Sequence, residues 1–375
     1  MLYETDVLII GGGLAGLTSA IHLSKSGFKV ILLEKNDFPQ HKVCGEYISN
    51  EVLPYLKWLN ADPAELKPAK ISELLITTQV STNLRTNLPL GGFGISRYLL
   101  DNFLFETAKL QGCKVFTDTV TDVSFDDDIF EISSTRDNFK AKLVLGAYGK
   151  RATLDHKLNR EFINQKSPWL AIKAHYLGSF PDGLVALHNF EGGYCGVSKV
   201  ENDLMNVCYL VDYKSFKKYK NIKDHQENVL YKNKELKRLF ETSTMVSESA
   251  LSISQISFEK KDRIANHVLM IGDAAGLIHP LCGNGMSMAI HSAKLVSELA
   301  IQFLNKELTR VQMEQLYHQQ WQQNFKKRLN MGRLLSRILL QPALSRILLR
   351  GLVMFPSLMN YIIRQTHGKP ILTRS

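Results

Sequence analysis

The sequence predicts an α/β protein in which a Rossmann-like domain is assembled from separated segments, interrupted by an inserted β-sheet-rich domain and followed by a helical C-terminal tail. Three observations predict it. Near the N-terminus Val7-Leu8-Ile9-Ile10 runs into Gly11-Gly12-Gly13-Leu14-Ala15-Gly16, then a helical stretch, then Val30-Ile31-Leu32-Leu33 closed by Glu34. From about Trp169 to Ser257 the chain is rich in strand-like segments. Beyond them a further apolar run, Val268 to Ile271, meets Gly272-Asp273 and a long helix from about Gly285 to Leu304.

The first unit has the order of a dinucleotide-binding fold. A short, fully apolar run is what a parallel strand covered on both faces requires. Gly11 makes the tight turn, Gly13 lets the backbone approach a pyrophosphate, and Gly16 allows close helix–strand packing. Leu14 and Ala15 open the helix whose N-terminal N–H groups face the phosphates. Glu34, at the end of the second strand and followed by Lys35, is placed to accept hydrogen bonds from a ribose diol.

A helix is expected from Tyr98 to Gln111, then strands at Lys114–Phe116, Val120–Phe125 and Ile129–Ser133, with the acidic turn Asp126-Asp127-Asp128 between the last two. Ala141–Leu145 reads as a buried strand running into Gly146-Ala147-Tyr148-Gly149. The inserted sheet is expected at Ala171–Tyr176, Leu184–Phe190, Gly193–Lys199 and Met205–Val211, interrupted by a helix from Asp224 to Glu241. Residues 1–70, 95–165 and 260–305 then form the nucleotide-binding domain, 71–94 and 166–259 the substrate domain, and 306–375 a basic amphipathic helical tail.

The chain's 375 residues, 45% hydrophobic and 22% charged, suffice for two cores. Its five cysteines lie far apart with no CxxC pair, which argues against a metal site or a disulfide framework and for a reducing cytoplasm. The N-terminus offers no cleavable signal, because Val7 to Ile10 is already a strand, and no run of about 18 apolar residues predicts a spanning helix.

The net charge of +10 is confined to the tail: ten cations (Lys326, Lys327, Arg328, Arg333, Arg337, Arg346, Arg350, Arg364, Lys369 and Arg374) stand between Lys326 and Ser375 with no Asp or Glu. They accompany Leu334, Leu335, Ile338, Leu339, Leu344, Ile347, Leu348, Leu352, Val353, Met354, Phe355, Leu358, Met359, Ile362 and Ile363, in helical spacing broken by Pro342 and Pro356. Short amphipathic helices flanked by arginines are what a peripheral membrane contact at the inner face requires. The alternative is a helical layer packed on the protein. No aromatic platform or known motif accompanies these arginines, which argues against nucleic acid.

With the glycine unit, two further motifs make the chain resemble the flavoprotein superfamily of aromatic hydroxylases, geranylgeranyl reductases and flavin halogenases. Ser96-Arg97-Tyr98-Leu99-Leu100-Asp101 is similar to the family's helix-opening arginine, which implies that Arg97 lies near the cofactor pyrophosphate. Gly272-Asp273-Ala274-Ala275-Gly276-Leu277-Ile278-His279-Pro280-Leu281-Cys282-Gly283-Asn284-Gly285-Met286 is similar to the family's flavin loop. The resemblance implies FAD, with Asp273 on a ribityl hydroxyl, Gly283, Asn284, Gly285 and Met286 against the flavin pyrimidine, and the Val120 backbone at the adenine. No second glycine unit holds a nicotinamide nucleotide, so the electron donor is either NAD(P)H bound otherwise or a reduced protein carrier.

Lys42-Val43-Cys44-Gly45-Glu46 looks like the Cys-Gly motif of the geranylgeranyl reductase branch, but that branch's Tyr-x-Trp-x-Phe-Pro lipid motif is absent. Trp58, Trp169 and Trp321 are isolated, which disfavours halogenation. On this alignment Cys44 faces the flavin, either as a thiol activated by Lys42 or as a small packing residue. Glu46 reads as a surface acid, with a proton donor's role if desolvated. His279 is an acid–base candidate or orders the flavin loop, and Tyr194 with Cys195 lines the substrate face. The resulting expectation is an FAD-dependent oxidoreductase, foremost a hydroxylase of a lipophilic aromatic or polyketide/quinone-like metabolite. The alternatives are a geranylgeranyl-reductase-like enzyme that saturates prenyl double bonds and a non-enzymatic carrier of prenylated partners.

Overall fold

β1 (Leu2–Ile10) runs into the glycine turn, α1 (Leu14–Lys25) returns the chain, and β2 (Val30–Glu34) lies parallel to β1 with Val7 opposite Val30. Every residue of β2 is buried, and so is α1 from Leu14 to Ser24. This computed structural model describes all residues except 80–82, 220, 255, 280–281, 340, 342–343, 345–346, 349–350, 353–355 and 374–375. Pro280, Leu281, Pro342, Arg346, Arg350, Val353, Met354, Phe355 and Arg374, and the side chain of Leu339, lie outside the described residues.

After β2 come β3 (Tyr47–Ser49), α2 (Leu53–Trp58), β4 (Ala69–Thr77), β5 (Asn83–Gly94) and α3 (Arg97–Leu110). They are followed by β6 (Lys114–Thr117), β7 (Val120–Asp126), β8 (Ile129–Ser134), β9 (Asn138–Gly146) and α4 (Thr153–Lys157). The inserted region contains β10 (Trp169–Leu177), β11 (Gly183–Phe190), β12 (Gly193–Lys199), β13 (Met205–Asp212), α5 (Tyr213–Lys217), α6 (Ile222–Asn228), α7 (Lys234–Thr242), β14 (Thr244–Met245) and β15 (Leu251–Ser254). β16 (Ile264–Ala265), β17 (Val268–Met270), α8 (Gly285–Leu304), α9 (Arg310–Leu339) and α10 (Pro356–Thr366) complete the chain.

The first sheet has the order β6-β2-β1-β9-β17-β16, parallel from β6 to β17, with the β7–β8 hairpin joined to β9. Brought together from positions far apart in sequence, β1, β9 and β17 all end at the glycine turn and the Gly272 turn, where an open parallel sheet binds its ligand. The second sheet, in the order β14-β10-β13-β12-β11-β4-β5-β3, is antiparallel except where β11 meets β4. It begins earlier than expected, since β3 and the first residues of β4 precede residue 71.

Two expectations need correction. The single helix expected from Asp224 to Glu241 is broken: α6 ends at Asn228, Val229 and Leu230 turn into the core, and Asn233 caps α7 by accepting from the Glu235 and Leu236 N–H groups. The tail's first helix is not short. α9 spans 30 residues and buries Met313, Tyr317, Trp321, Phe325 and Leu329 in the nucleotide-binding domain's core.

Candidate active site

The phosphate end is shaped by two steric demands. Gly11 has φ +107° and a Cβ there would lie 2.5 Å from the Ala147 carbonyl oxygen; a Cβ on Gly16 would lie 2.0 Å from the Gly11 oxygen. Gly13 differs: the space before it is open, bounded by Arg97 Nη2 at 3.8 Å from where a Cβ would sit. The first turn of α1 carries no acidic residue, so its N–H groups remain available to an anion. Glu34 accepts from the Gly12 N–H at 2.7 Å and the Asn36 N–H at 3.2 Å, which fixes its buried carboxylate beside the turn. Lys35 follows it in solvent, and Val120 is buried at the head of β7.

Ser96 caps α3 by accepting from the Leu99 N–H at 3.1 Å, and this cap aims Arg97 at the glycine turn. Arg97 grips the buried Asp101 with Nε and Nη2, each at 2.7 Å, and Lys42 reaches the same carboxylate at 2.9 Å. Burial opposes the Arg97 charge, but Asp101 outweighs it and the guanidinium's pKa is raised. Asp101 holds Arg97 in place, a role not assigned to it from the sequence although the i,i+4 spacing was visible. Lys42 is committed to Asp101 rather than to Cys44.

From this end a cavity of about 310 Å³ extends past Gly272, Asp273 and Gly283 to Met286. Cys44, Gly45 and Glu46 border it as well, with the Cys44 thiol donating toward Met286 Sδ at 3.5 Å. The same cavity continues into an apolar chamber. Leu74, Ile76 and Leu88 of β4 and β5, Val185 and Leu187 of β11, and Leu335, Leu348, Leu352, Met359, Ile362 and Ile363 of the C-terminal region line it. These C-terminal residues were legible as an apolar stripe, but the surface they cover was not. Tyr194 is buried in the wall, where desolvation holds its phenol well above the usual range.

His279 is not among the residues that border this cavity. It is buried against the rings of Trp169, Tyr194 and Phe258, and burial lowers its pKa to about 3. Burial thus favours its neutral form, and the three rings hold it in the loop. The surface reading of Glu46 requires correction. It is wholly buried, has φ +54°, and accepts from Lys173 Nζ at 2.9 Å, His175 at 2.6 Å and the Arg97 N–H at 2.8 Å. Desolvation raises its pKa, but His175 and Lys173 outweigh it and hold Glu46 below the usual carboxylate range. The missed signal was in β10, where Lys173 and His175 share the face of the cavity-lining Ala171 and alternate with buried apolar residues.

These features fit FAD. The open glycine cradle with Arg97 suits the pyrophosphate and Glu34 the ribose. Asp273 suits the ribityl chain, and the Gly285 N-terminus of α8 suits the pyrimidine. Gly45 has nothing within 4 Å of a Cβ position, leaving room opposite the α8 terminus.

Comparison with known proteins gives the same assignment. The model of an FAD binding domain matches residues 4–307. Digeranylgeranylglycerophospholipid reductase 2 of Methanosphaera stadtmanae is 25% identical over 323 residues, 80% of this chain and 79% of that protein. A flavin-dependent brominase superposes with TM-score 0.80 at 19% identity, covering 97% of this chain and 93% of its own. A geranylgeranyl bacteriochlorophyll reductase-like protein from Thermoplasma acidophilum gives TM-score 0.74 at 17% identity, covering 100% and 94%.

Proposed function

The chain belongs to the FAD-binding-domain family of oxidoreductases, and on that footing we propose that it acts on a lipid-tailed substrate, with the tail in the apolar chamber and the reacting head beside the flavin. The observation that carries this is the continuity of the cavity. One space passes from the Gly285–Met286 terminus into a chamber walled by Leu74, Ile76, Leu352, Met359 and Ile363. Such walls bind hydrocarbon at roughly 25 cal/mol per Å² of apolar area removed from water.

Bound FAD supplies the two-electron chemistry. The chain's part is to hold the pyrophosphate with the α1 N-terminus and Arg97, and to place a dipole of the right sign at the α8 N-terminus. The cavity's mostly apolar lining also disfavours water beside the reacting atoms. That apolar lining favours hydroxylation of an aromatic, polyketide or quinone-like head, a reaction that loses yield when water enters. The reductases of digeranylgeranyl lipids among the relatives favour a second reading, saturation of a prenyl alkene. A carrier without redox activity has no use for the Gly13 cradle and the Arg97 clamp.

The test is anaerobic reduction of the purified protein with NADPH or NADH, with and without phenolic and prenyl lipids, before oxygen is admitted. Oxygen-dependent gain of one oxygen atom by a phenolic lipid supports hydroxylation. Saturation of a prenyl lipid without oxygen supports the reductase. Reduction by dithionite but by neither nicotinamide points to a protein electron donor. No conversion of any lipid overturns the proposal.

The outer side of the C-terminal region supports contact with an anionic bilayer. Leu334, Leu344, Ile347, Leu358 and Tyr361 are exposed beside Arg337 and Arg364, while no helix among the described residues is long and apolar enough to cross a membrane. Full-length protein should sediment with phosphatidylglycerol vesicles, and Leu344→Asp/Ile347→Asp should not. Equal sedimentation of the two removes the bilayer proposal.

A further inference from the structure

Glu46 joins three distant parts of the fold: the Cys-Gly-Glu segment that carries it, the start of α3 through the Arg97 N–H, and β10 through Lys173 and His175. It borders the cavity. Beyond it, the His175 ring stands edge-on to His41 with 5.5 Å between centroids, and His41 is exposed and stacks on the exposed Tyr98 at 4.6 Å. Titratable groups therefore form a line from solvent to the cavity.

Lys173 alone would neutralise Glu46. The second partner is a histidine, the side chain that changes charge near neutral pH, and it leads to another histidine at the surface. Glu46 also holds a left-handed backbone conformation that a non-glycine residue adopts at a cost, as happens where function fixes a side chain.

We propose that His41, His175 and Glu46 form a proton conduit from solvent to the flavin-side cavity. The proposal rests on the oxidoreductase reading and serves either reaction. An alkene that accepts hydride needs one proton for its second carbon. Oxygen divided between a substrate hydroxyl and water needs one proton beyond the hydride equivalent of the anionic reduced flavin. Both balances draw one proton per turnover into a chamber with mostly apolar walls. His175 passes it from Nε2 to Glu46 Oε2 at 2.6 Å, Glu46 delivers it, and His41 recharges His175 through one bridging water. Lys173 is a positioning residue that keeps Glu46 ionised between deliveries. The other charges facing this line are Glu201, held by the Ser96 N–H at 2.8 Å, and the Arg97–Asp101–Lys42 cluster.

Two measurements on the holoenzyme test it. Menadione takes a hydride and a proton to become its hydroquinone, and photoreduced enzyme mixed with it should reoxidise about 100-fold more slowly in His41→Ala and His175→Gln. A solvent isotope effect should emerge in both, and added imidazole should restore His41→Ala. In the oxidised holoenzyme, NMR titration of the His41 ring should be linked to its neighbour, His175→Gln displacing the His41 curve. His41 is exposed, so its variant folds. Reoxidation at the wild-type rate with unlinked titrations overturns the conduit. Failure of the oxidoreductase reading shows differently, as wild-type enzyme that converts no lipid.

Discussion

Gly16 cannot carry a side chain, because its Cβ would stand 2.0 Å from the Gly11 oxygen and force α1 away from β1. Gly16→Val should therefore yield protein that has lost FAD, read as the ratio of flavin to protein absorbance after gel filtration; stoichiometric flavin in this variant would refute the packing argument. Glu46→Gln tests a different balance. It leaves Lys173, 2% exposed, without its counter-charge, and loss of one partner of a buried pair costs about 3–5 kcal/mol. Urea unfolding should show that loss with an unchanged m-value, and a change under about 1 kcal/mol would mean that water reaches Lys173. The two residues also mark what could be read from the chain. Gly11, Gly13, Gly16 and Glu34 are legible because their expected roles follow from spacing within one local unit, whereas the role of Arg97 is legible only through the family resemblance. Glu46 is not, because its burial depends on His175 Nε2, which comes from a strand 129 residues later.

α9 shows the same limit one level up. Its buried side chains recur every fourth residue, from Met313 through Tyr317, Trp321 and Phe325 to Leu329, a pattern readable as one amphipathic face. The charge excess that begins at Lys326 favours a membrane-facing tail over a helical layer packed on the protein. In the structure the Tyr317 hydroxyl donates to the Met270 carbonyl at 2.5 Å, and Trp321 packs on Gly276 of the flavin loop under the Arg263 guanidinium, 4.3 Å from its ring. Trp321→Ala should cost about 3–5 kcal/mol and weaken FAD retention, because the cavity opens directly beneath the loop. Thermal unfolding with and without added FAD checks both, and a variant of unchanged stability would show that α9 rests on the domain without supporting it. Further along, Asn284 donates to the Thr366 carbonyl at 2.8 Å, Arg328 pairs with Glu51 at 3.0 Å, and Glu51 accepts from the Gly368 N–H. The C-terminal segment is thereby clasped to the flavin loop. A truncation at residue 323 would cut the α9 stripe, so membrane contact is better tested by surface substitution.

Taken together, the buried imidazoles set how the protein responds to acid. Burial lowers His22, His188 and His367 to about 4, and His279 and His291 to about 3. In the unfolded chain each takes up a proton near the ordinary histidine value of about 6.5. Below that value the unfolded state binds more protons than the folded one, so these groups contribute full stability above about pH 6.5 and lose it as pH falls toward 4. One such proton gives a slope of about 1.4 kcal/mol per pH unit, and several titrating together should exceed it. Glu51 works in the opposite direction: desolvation raises its pKa above the usual carboxylate value, so its protonation at low pH favours the folded state. With His225, which burial also lowers to about 4, six buried histidines stand against this one group, and the net slope keeps its sign. Urea midpoints measured between about pH 7 and pH 5 should therefore fall steadily, and a flat profile would mean that these histidines are hydrated in solution. His367 borders the cavity and His279 supports the loop beside it, so the flavin should leave in the same window. Filtration at each pH would show this as free FAD accompanying the loss of stability. If flavin is instead retained down to the unfolding midpoint, the C-terminal clasp does not depend on a neutral His367, and the acid response belongs to the histidines away from the cavity.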